Sequence, residues 1–494
     1  MNAAASLPML LSFGAFLLVF IGIGAWSVTR SRRTTVDYLL AGRSVKPWLV
    51  GLSAVATNNS GYMFTGMIGF TYLTGWSSIW LMAGWLVGDL IGSLLIHHKL
   101  RLAAERSDSH SFSGVLSHWG GADYRRLRLI AGLLSLLFLG SYAAAQLNAG
   151  SKALHVLFGW ELWAGAVLGA GGVLIYCLAG GIRASIWTDA AQAIVMLISM
   201  GLLLAVSVGQ VGGVQAAVER LGAVQPGYLA WFPPDLPVPG GWGPFLFVAG
   251  WMFAGFGVVG QPHIMIRFMS LDEPGNLPRA RVWYYGWFFL FYALTIGVGL
   301  MARLLLPEAG RFDQELALPM LSLRMLPPVW VGLILAGLFA ATISTADSLV
   351  LSCSAALTRD LLPGRPAGFW MTKAGTFGVT AAALGIALIG NKSVFHLVLY
   401  SWAVLAAAFG PLLLVYCFGG RPSERLAITM VLAGAGVVIG WSLAGLSPYI
   451  YEIAPGILAG LVVYGFSRLF GRAKREGRRS GRGHSLTLIT EGKR

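Results

Sequence analysis

Runs of about 20 apolar residues, each ended by a short polar segment, recur along the whole chain. Coiled as a helix, such a run matches the roughly 30 Å hydrocarbon core of a bilayer. The pattern predicts thirteen spans, at 9–28, 48–72, 77–97, 128–149, 161–180, 188–210, 244–265, 283–305, 329–356, 370–390, 394–418, 426–446 and 452–470. The span at 329–356 is long enough to tilt or to protrude from the bilayer.

Most of these spans are Leu, Val, Ala and Gly, whose small members let helices approach closely. Two spans break the pattern. In 48–72 the run Ala56-Thr57-Asn58-Asn59-Ser60-Gly61 places four polar side chains and a glycine at mid-membrane depth. In 244–265 the run from Gly255 to Pro262 combines three glycines with a proline. Each reads as a helix break. They fall in the second and seventh spans and so open two consecutive sets of five helices, the sequence signature of an inverted-repeat transporter. The expected organisation is one transmembrane domain over 1–470. Helix 1 lies at 9–28, the first repeat at about 48–210, the second at about 244–418 and two extra helices at 426–470, followed by a basic tail at 471–494.

Composition agrees with this reading. At 56% hydrophobic and 11% charged residues, with mean hydropathy +0.71, the chain has too little polar sequence to cover a water-soluble globule. A net charge of +15 would suit a nucleic-acid binder, but the basic residues are not spread evenly. With the N-terminus outside, the odd-numbered loops, their helix ends and the tail hold 29 of the 35 Lys and Arg, as the positive-inside rule requires. The expectation is a multi-pass protein of a bacterial-type inner membrane, its N-terminus periplasmic and its basic, disordered C-terminal tail cytoplasmic, with no nucleic-acid partner. No Lys or Arg precedes the first span, so it lacks the basic start of a cleavable signal and is expected to be retained. Cys177, Cys353 and Cys417 lie within apolar spans at neither disulfide nor zinc spacing and read as packing residues.

Candidate chemistry lies inside the spans. Ser344 and Ser348 share a helix face at i, i+4, and Thr345 widens it, so hydroxyl oxygens there could face a cavity. A hard cation takes such oxygens, and a broken helix frees carbonyls to complete its shell. Asp89 and Asp347 are ionisable groups at depth and therefore functional candidates, although the sequence shows no companion for Asp89. Asp189 stands near a helix start, where it could equally cap the helix. Tyr142 and Gln146 share one face of their span, and aromatic rings flanking a few polar groups suit a small solute. No enzyme is expected: no nucleophile, histidine and acid set appears, His97, His98 and His110 read as loop residues, and His263 lies beside a helix break.

These residues carry a resemblance. Asp37-Tyr38 with Gly42-Arg43-Ser44, Leu52-Ser53-Ala54, Trp187-Thr188-Asp189 with Gln192, and Gly260-Gln261-Pro262-His263 leading to Arg267-Phe268-Met269 are among its strings. Ala341 to Ser348, Tyr400-Ser401-Trp402-Ala403 and Phe409-Gly410-Pro411 complete them. With them the chain resembles the sodium/solute symporter family, nearest to its proline-permease branch. The resemblance implies an all-α fold of the leucine-transporter type, a five-plus-five inverted repeat, and symport of a small organic solute with Na⁺. It implies Na⁺ at the carbonyls of Ala56, Asn59 and Ala341 and the hydroxyls of Ser344 and Thr345. The solute is expected beside Asn58, Ser60, Tyr62, Tyr142, Gln146, Ala254 and Gln261, and Arg43, Asp189 and Asp347 are assigned to the ion pathway or gate. An amino acid such as proline is the first solute implied. Asn58 and Ala254 depart from the proline-permease pattern of aspartate and tryptophan, which keeps a sugar or monocarboxylate symporter as an alternative. A transporter-like sensor is a third, although no kinase follows the last span.

Overall fold

A computed structural model of the chain describes residues 6–306, 310–362, 368–389 and 394–469. The tail expected at 471–494 lies outside the described residues. The described chain is helical, its β structure an isolated bridge between Val45 and Leu271.

The membrane helices, in order, are α1 (Leu7–Val28), α2 (Pro47–Tyr62), α3 (Ile68–Thr74), α4 (Ile79–Gly92), α5 (His98–Arg106), α6 (Arg125–Phe158), α7 (Leu162–Gly180) and α8 (Ile182–Val211). There follow α9 (Trp242–Phe256), α10 (Pro262–Met269), α11 (Leu277–Leu305), α12 (Pro328–Ala355), α13 (Phe369–Ile389), α14 (Val394–Cys417), α15 (Glu424–Leu443) and α16 (Ile453–Leu469). Among the described residues eleven helical runs are long and apolar enough to cross a bilayer. One of them, Pro47–Arg106, is 60 residues long and holds two predicted spans. Asn58 on α2 and Asp89 on α4 are 3.3 Å apart, whereas a straight helix would separate them by roughly 45 Å at 1.5 Å per residue. The run therefore doubles back. It does so at Gly75, whose φ of +71° favours glycine and whose absent side chain leaves room for the Tyr228 carbonyl. The last predicted span corresponds to α16, of which Ile453–Leu469 are described.

Burial separates the centre from the rim. The most apolar stretches of α12 and α14 are 89% buried, whereas that of α1 is 22% buried and faces outward. Helix α12 is therefore the axis, in contact with α1, α2, α6 and α8, and its length reflects packing inside protein. Helix α2 lies beside it, flanked by α8, α10 and α11.

Two expectations change, and one loop gains structure. Histidines 97 and 98 are helical, because the apolar run continues through a π turn at Ser93–His97 into α5, and buried His97 lies against Phe268, ring centroids 4.0 Å apart. The segment 211–243 between α8 and α9 carries a short helix, Val214–Gly222, and Tyr228 within the segment docks its hydroxyl on the Thr71 and Tyr72 carbonyls. Asp189 is no cap: α8 begins at Ile182, two turns earlier, so Asp189 sits inside the helix and is fully buried. The three cysteines are free and buried, as packing residues should be.

Candidate functional site

The first break is at Ser60, whose φ of 41° and ψ of 179° leave the helical region. A non-glycine residue there costs about 1–3 kcal/mol and persists only where its surroundings hold it. They do so here with hydrogen bonds. The amide of Gly61 donates to Gln146 Oε1 at 2.8 Å, the Tyr142 hydroxyl reaches Ser60 Oγ at 3.2 Å, and the Thr65 hydroxyl donates to the Gly61 carbonyl at 3.0 Å. A side chain on Gly61 would meet Thr342 Cγ2 at 2.5 Å, so α12 can approach the break only at a glycine. Tyr142 and Gln146 thus use the shared face of α6 predicted for them.

The second break is a 3-10 turn at Gly257–Gly260 followed by extended Gln261, with Pro262 opening α10. It is clamped to α14: Gln261 Nε2 donates to the Trp402 carbonyl at 2.9 Å, and Trp402 Nε1 donates to the Ala254 carbonyl at 2.9 Å. Aromatic rings bridge the breaks, with Tyr62 6.3 Å from Trp85, Trp85 5.1 Å from Trp402, and Tyr142 5.6 Å from His263. Ser60, Tyr62, Tyr142, Gln146, Ala254 and Gln261 are therefore linked, in part through Gly61, Trp85 and Trp402, and all are buried. Asn58 faces elsewhere: its amide donates to the Tyr284 hydroxyl at 2.5 Å and to Asp89 at 3.3 Å.

Below the first break α12 presents its hydroxyls to α2. Thr345 Oγ1 donates to the Thr57 carbonyl at 3.0 Å, and Ser344 Oγ to the Ala341 carbonyl at 3.2 Å. Ser348 Oγ donates to the Ser344 carbonyl at 2.5 Å and lies 3.2 Å from Thr57 Oγ1. Ala56 precedes Thr57 on α2 and Asn59 follows two residues on; the Asn59 carbonyl accepts from the Met63 amide, and its side chain donates to the Val55 carbonyl. Ala341, Ser344 and Thr345 are thus brought together beside α2, with Ser348 on the face expected of it and Thr57 added by the structure.

A charged network adjoins this hydroxyl group. Arg267, on α10, donates to Ser185 Oγ at 2.7 Å and the His263 carbonyl at 2.9 Å, and also bonds Ser348 Oγ. Its guanidinium is 3.4 Å from Asp189 and 3.8 Å from Asp347, all three side chains fully buried. Ser53 donates to Asp189 at 2.6 Å and Ser185 to Asp347 at 2.7 Å. Asp189 Oδ1 and Asp347 Oδ2 have no hydrogen-bond partner among the described residues. Arg43 stands apart from the two acids. It pairs with Asp108 at 3.3 Å and bonds the Ala104 and Ser109 carbonyls, which ties the chain ahead of α2 to the end of α5.

The sequence profile of the sodium:solute symporter family matches residues 38–434. This chain belongs to that family. It is 30% identical over 461 residues to the high-affinity proline transporter PutP of Bacillus subtilis, covering 91% of this chain and 96% of that one. It is 30% identical over 494 residues to the sodium/proline symporter of Escherichia coli, covering 95% and 94%. Among solved structures it is similar to a Na⁺-coupled sialic acid symporter, with TM-score 0.77, 20% identity and 94% and 98% of the two chains covered. It also resembles Mhp1, a nucleobase-cation-symport-1 family transporter, with TM-score 0.55 and 14% identity over 87% and 94%.

The symporter fold is thus the all-α leucine-transporter type that the family resemblance implied, and the protein is a secondary transporter of a small solute with Na⁺ rather than an enzyme. Two parts of this symporter site escaped the sequence reading. Arg267 was seen only within a string, although a lone arginine inside the apolar run Ile264–Met269 is a signal of buried pairing. The partners of Asp89 lie on α11, nearly 200 residues away, where adjacent Tyr284 and Tyr285 gave no hint of direction.

Proposed function

We propose that this symporter takes up a small amino acid, proline or a close analogue, across a bacterial inner membrane, driven by Na⁺ entering with it. The observation that carries the reading is the contact of Thr345 Oγ1 with the Thr57 carbonyl beside Ser344 and the Ala341 carbonyl, because it lines neutral oxygens from α12 against the turn of α2 that precedes the break. A monovalent cation can be held by five such oxygens without a carboxylate, and Ala56, Asn59, Ala341, Ser344 and Thr345 supply them. Asn58, Ser60, Tyr62, Tyr142, Gln146, Ala254 and Gln261 surround the solute, with Asn58 acting at its edge. Asp189 and Asp347 border the ion's inner route, and Arg43 closes the loop face below. The repeats span about 48–210 and 244–418, and the tail side is cytoplasmic.

Proline stands first because the relatives that match nearly the whole chain are proline transporters. The decisive experiment is initial uptake of labelled proline, other small amino acids, betaines, sugars and monocarboxylates into proteoliposomes, with and without a Na⁺ gradient. Deleting one of few ligands removes a contact of roughly 1.5–3 kcal/mol, so Ser344→Ala or Thr345→Ala should raise the half-saturating Na⁺ concentration about 10- to 100-fold. Uptake that ignores Na⁺ and collapses with the pH gradient would refute the ion assignment. Cysteines placed at Ala3 and Ser480 should be labelled by an impermeant reagent from opposite sides.

A further inference from the structure

Two adjoining hollows occupy the loop face of the molecule, on either side of the turn that ends α14. The first, about 490 Å³, is lined by Lys99, Arg106, His118, Trp119 and Tyr416, among others. Trp119 and Tyr416 stack there with ring centroids 5.3 Å apart and planes within 10°. His118 faces Asp123 at 3.4 Å, and Asp123 is also reached by Arg128 at 3.7 Å, so that carboxylate is already engaged. Lys99 and Arg106 are exposed and have no ion pair among the described residues. Lys99 donates to the Cys417 carbonyl at 2.6 Å, which fixes its position and leaves two ammonium protons free.

The second hollow, about 410 Å³, has the opposite chemistry. Leu414, Val415, Phe418 and Leu461 line it, with Arg468 at its edge. Phe418 is 73% exposed, and the Lys99 ammonium lies 5.6 Å from its ring centroid, so one residue of the basic hollow touches one of the apolar groove. A cationic recess continuous with an apolar groove, at the end of a membrane helix, matches a molecule with an anionic head and hydrocarbon tails.

We propose that this double hollow is a binding site for an anionic phospholipid, its phosphodiester held by Lys99 and Arg106 and an acyl chain lying along Phe418 and Leu461. A free phosphate would satisfy the basic recess but would gain nothing from the groove, which favours the lipid. The site is separate from the solute and Na⁺ residues, so the proposal stands or falls apart from the transport reading.

The test uses the full-length purified protein and native mass spectrometry with phosphatidylglycerol, phosphatidylcholine or inorganic phosphate added. Two basic side chains near a lipid surface should favour phosphatidylglycerol over phosphatidylcholine by about 30-fold. Lys99→Gln/Arg106→Gln should lose that preference, while Arg125→Gln/Arg126→Gln, on the same basic face outside the hollow, should keep it. Arg106→Gln alone removes an exposed side chain with no ion pair to lose; it leaves folding intact and should forfeit about fivefold. Equal retention of the two lipids, unchanged preference in both Arg106 variants, or displacement of the lipid by millimolar inorganic phosphate would each overturn the assignment.

Discussion

Two acidic networks lie against α2 and solve the problem of a buried carboxyl in opposite ways. Ser53 and Thr57, one helical turn apart, face the first network, in which the Arg267 guanidinium stands between Asp189 and Asp347. Asn58, about 100° further round the helix, faces the second. There Asp89 accepts from Tyr284 at 2.7 Å, Tyr285 at 2.9 Å and Asn58 at 3.3 Å, and no ion pair reaches it among the described residues. The first network staples four helices, α2, α8, α10 and α12, with charge. The second ties α2 to α4 and α11 with neutral donors only. Opening a path past α2 therefore requires separating opposite charges on one side and, on the other, a carboxyl from neutral donors. On the function proposed above, the first network serves the ion and the second the fit of the solute.

The charged staple should be the more fragile. Removing one partner of a buried ion pair leaves the other uncompensated and costs about 3–5 kcal/mol. Arg267→Ala should accordingly lower the yield of folded protein and its melting temperature more than any change at Asp89. Adding Asp189→Asn and Asp347→Asn to it removes the stranded acids and should recover most of the loss, as read by thermal unfolding in detergent. A triple variant as unstable as the single one would show that Arg267 matters for its packing and hydrogen bonds, and the contrast between the networks would fail.

Next in size is an effect on the ion. Asp347 Oδ1 lies 3.0 Å from Ser348 Oγ, which is also 2.5 Å from the Ser344 carbonyl, so this carboxyl borders the hydroxyl cluster directly. A nearby carboxylate attracts a monovalent cation by roughly 1–2 kcal/mol at an effective dielectric of about 20. Asp347→Asn should raise the half-saturating Na⁺ concentration about tenfold and leave the solute KM at saturating Na⁺ nearly unchanged. A shift in KM alone would assign this network to the solute instead.

The two networks also mark what a sequence can disclose. The breaks were legible because Asn58-Asn59-Ser60-Gly61 and Gly255 to Pro262 contradict the apolar pattern locally, where one reads it. The hydroxyl face of Ser344, Thr345 and Ser348 was legible for the same reason, as periodicity within one helix. The tyrosine partners of Asp89 and the pairing of Arg267 with Asp189 were not, because each joins residues at least 78 positions apart and only packing brings them together. Asn58 shows the limit most plainly: its place in the break was readable, but not that its amide would turn to Tyr284 and Asp89 instead of toward Ser60.

Asp89→Asn keeps the shape and the acceptor oxygen but removes the carboxylate that three neutral donors surround. Because those donors include Asn58 and no member of the hydroxyl cluster, the solute KM should rise about three- to tenfold while the half-saturating Na⁺ concentration stays put. The smallest change resolves which arm of the network matters. Tyr285→Phe removes a partly exposed hydroxyl that bonds Asp89 and Ser93 but not Asn58, a loss of roughly 1 kcal/mol at Asp89, so KM should move less than about threefold. Tyr284→Phe deletes the hydroxyl that bonds Asp89 and Asn58 together, so it should approach the effect of Asp89→Asn. If the two tyrosine variants are indistinguishable, Asn58 is not coupled to the solute through this network, and Asp89 holds α4 to α11 for the fold alone.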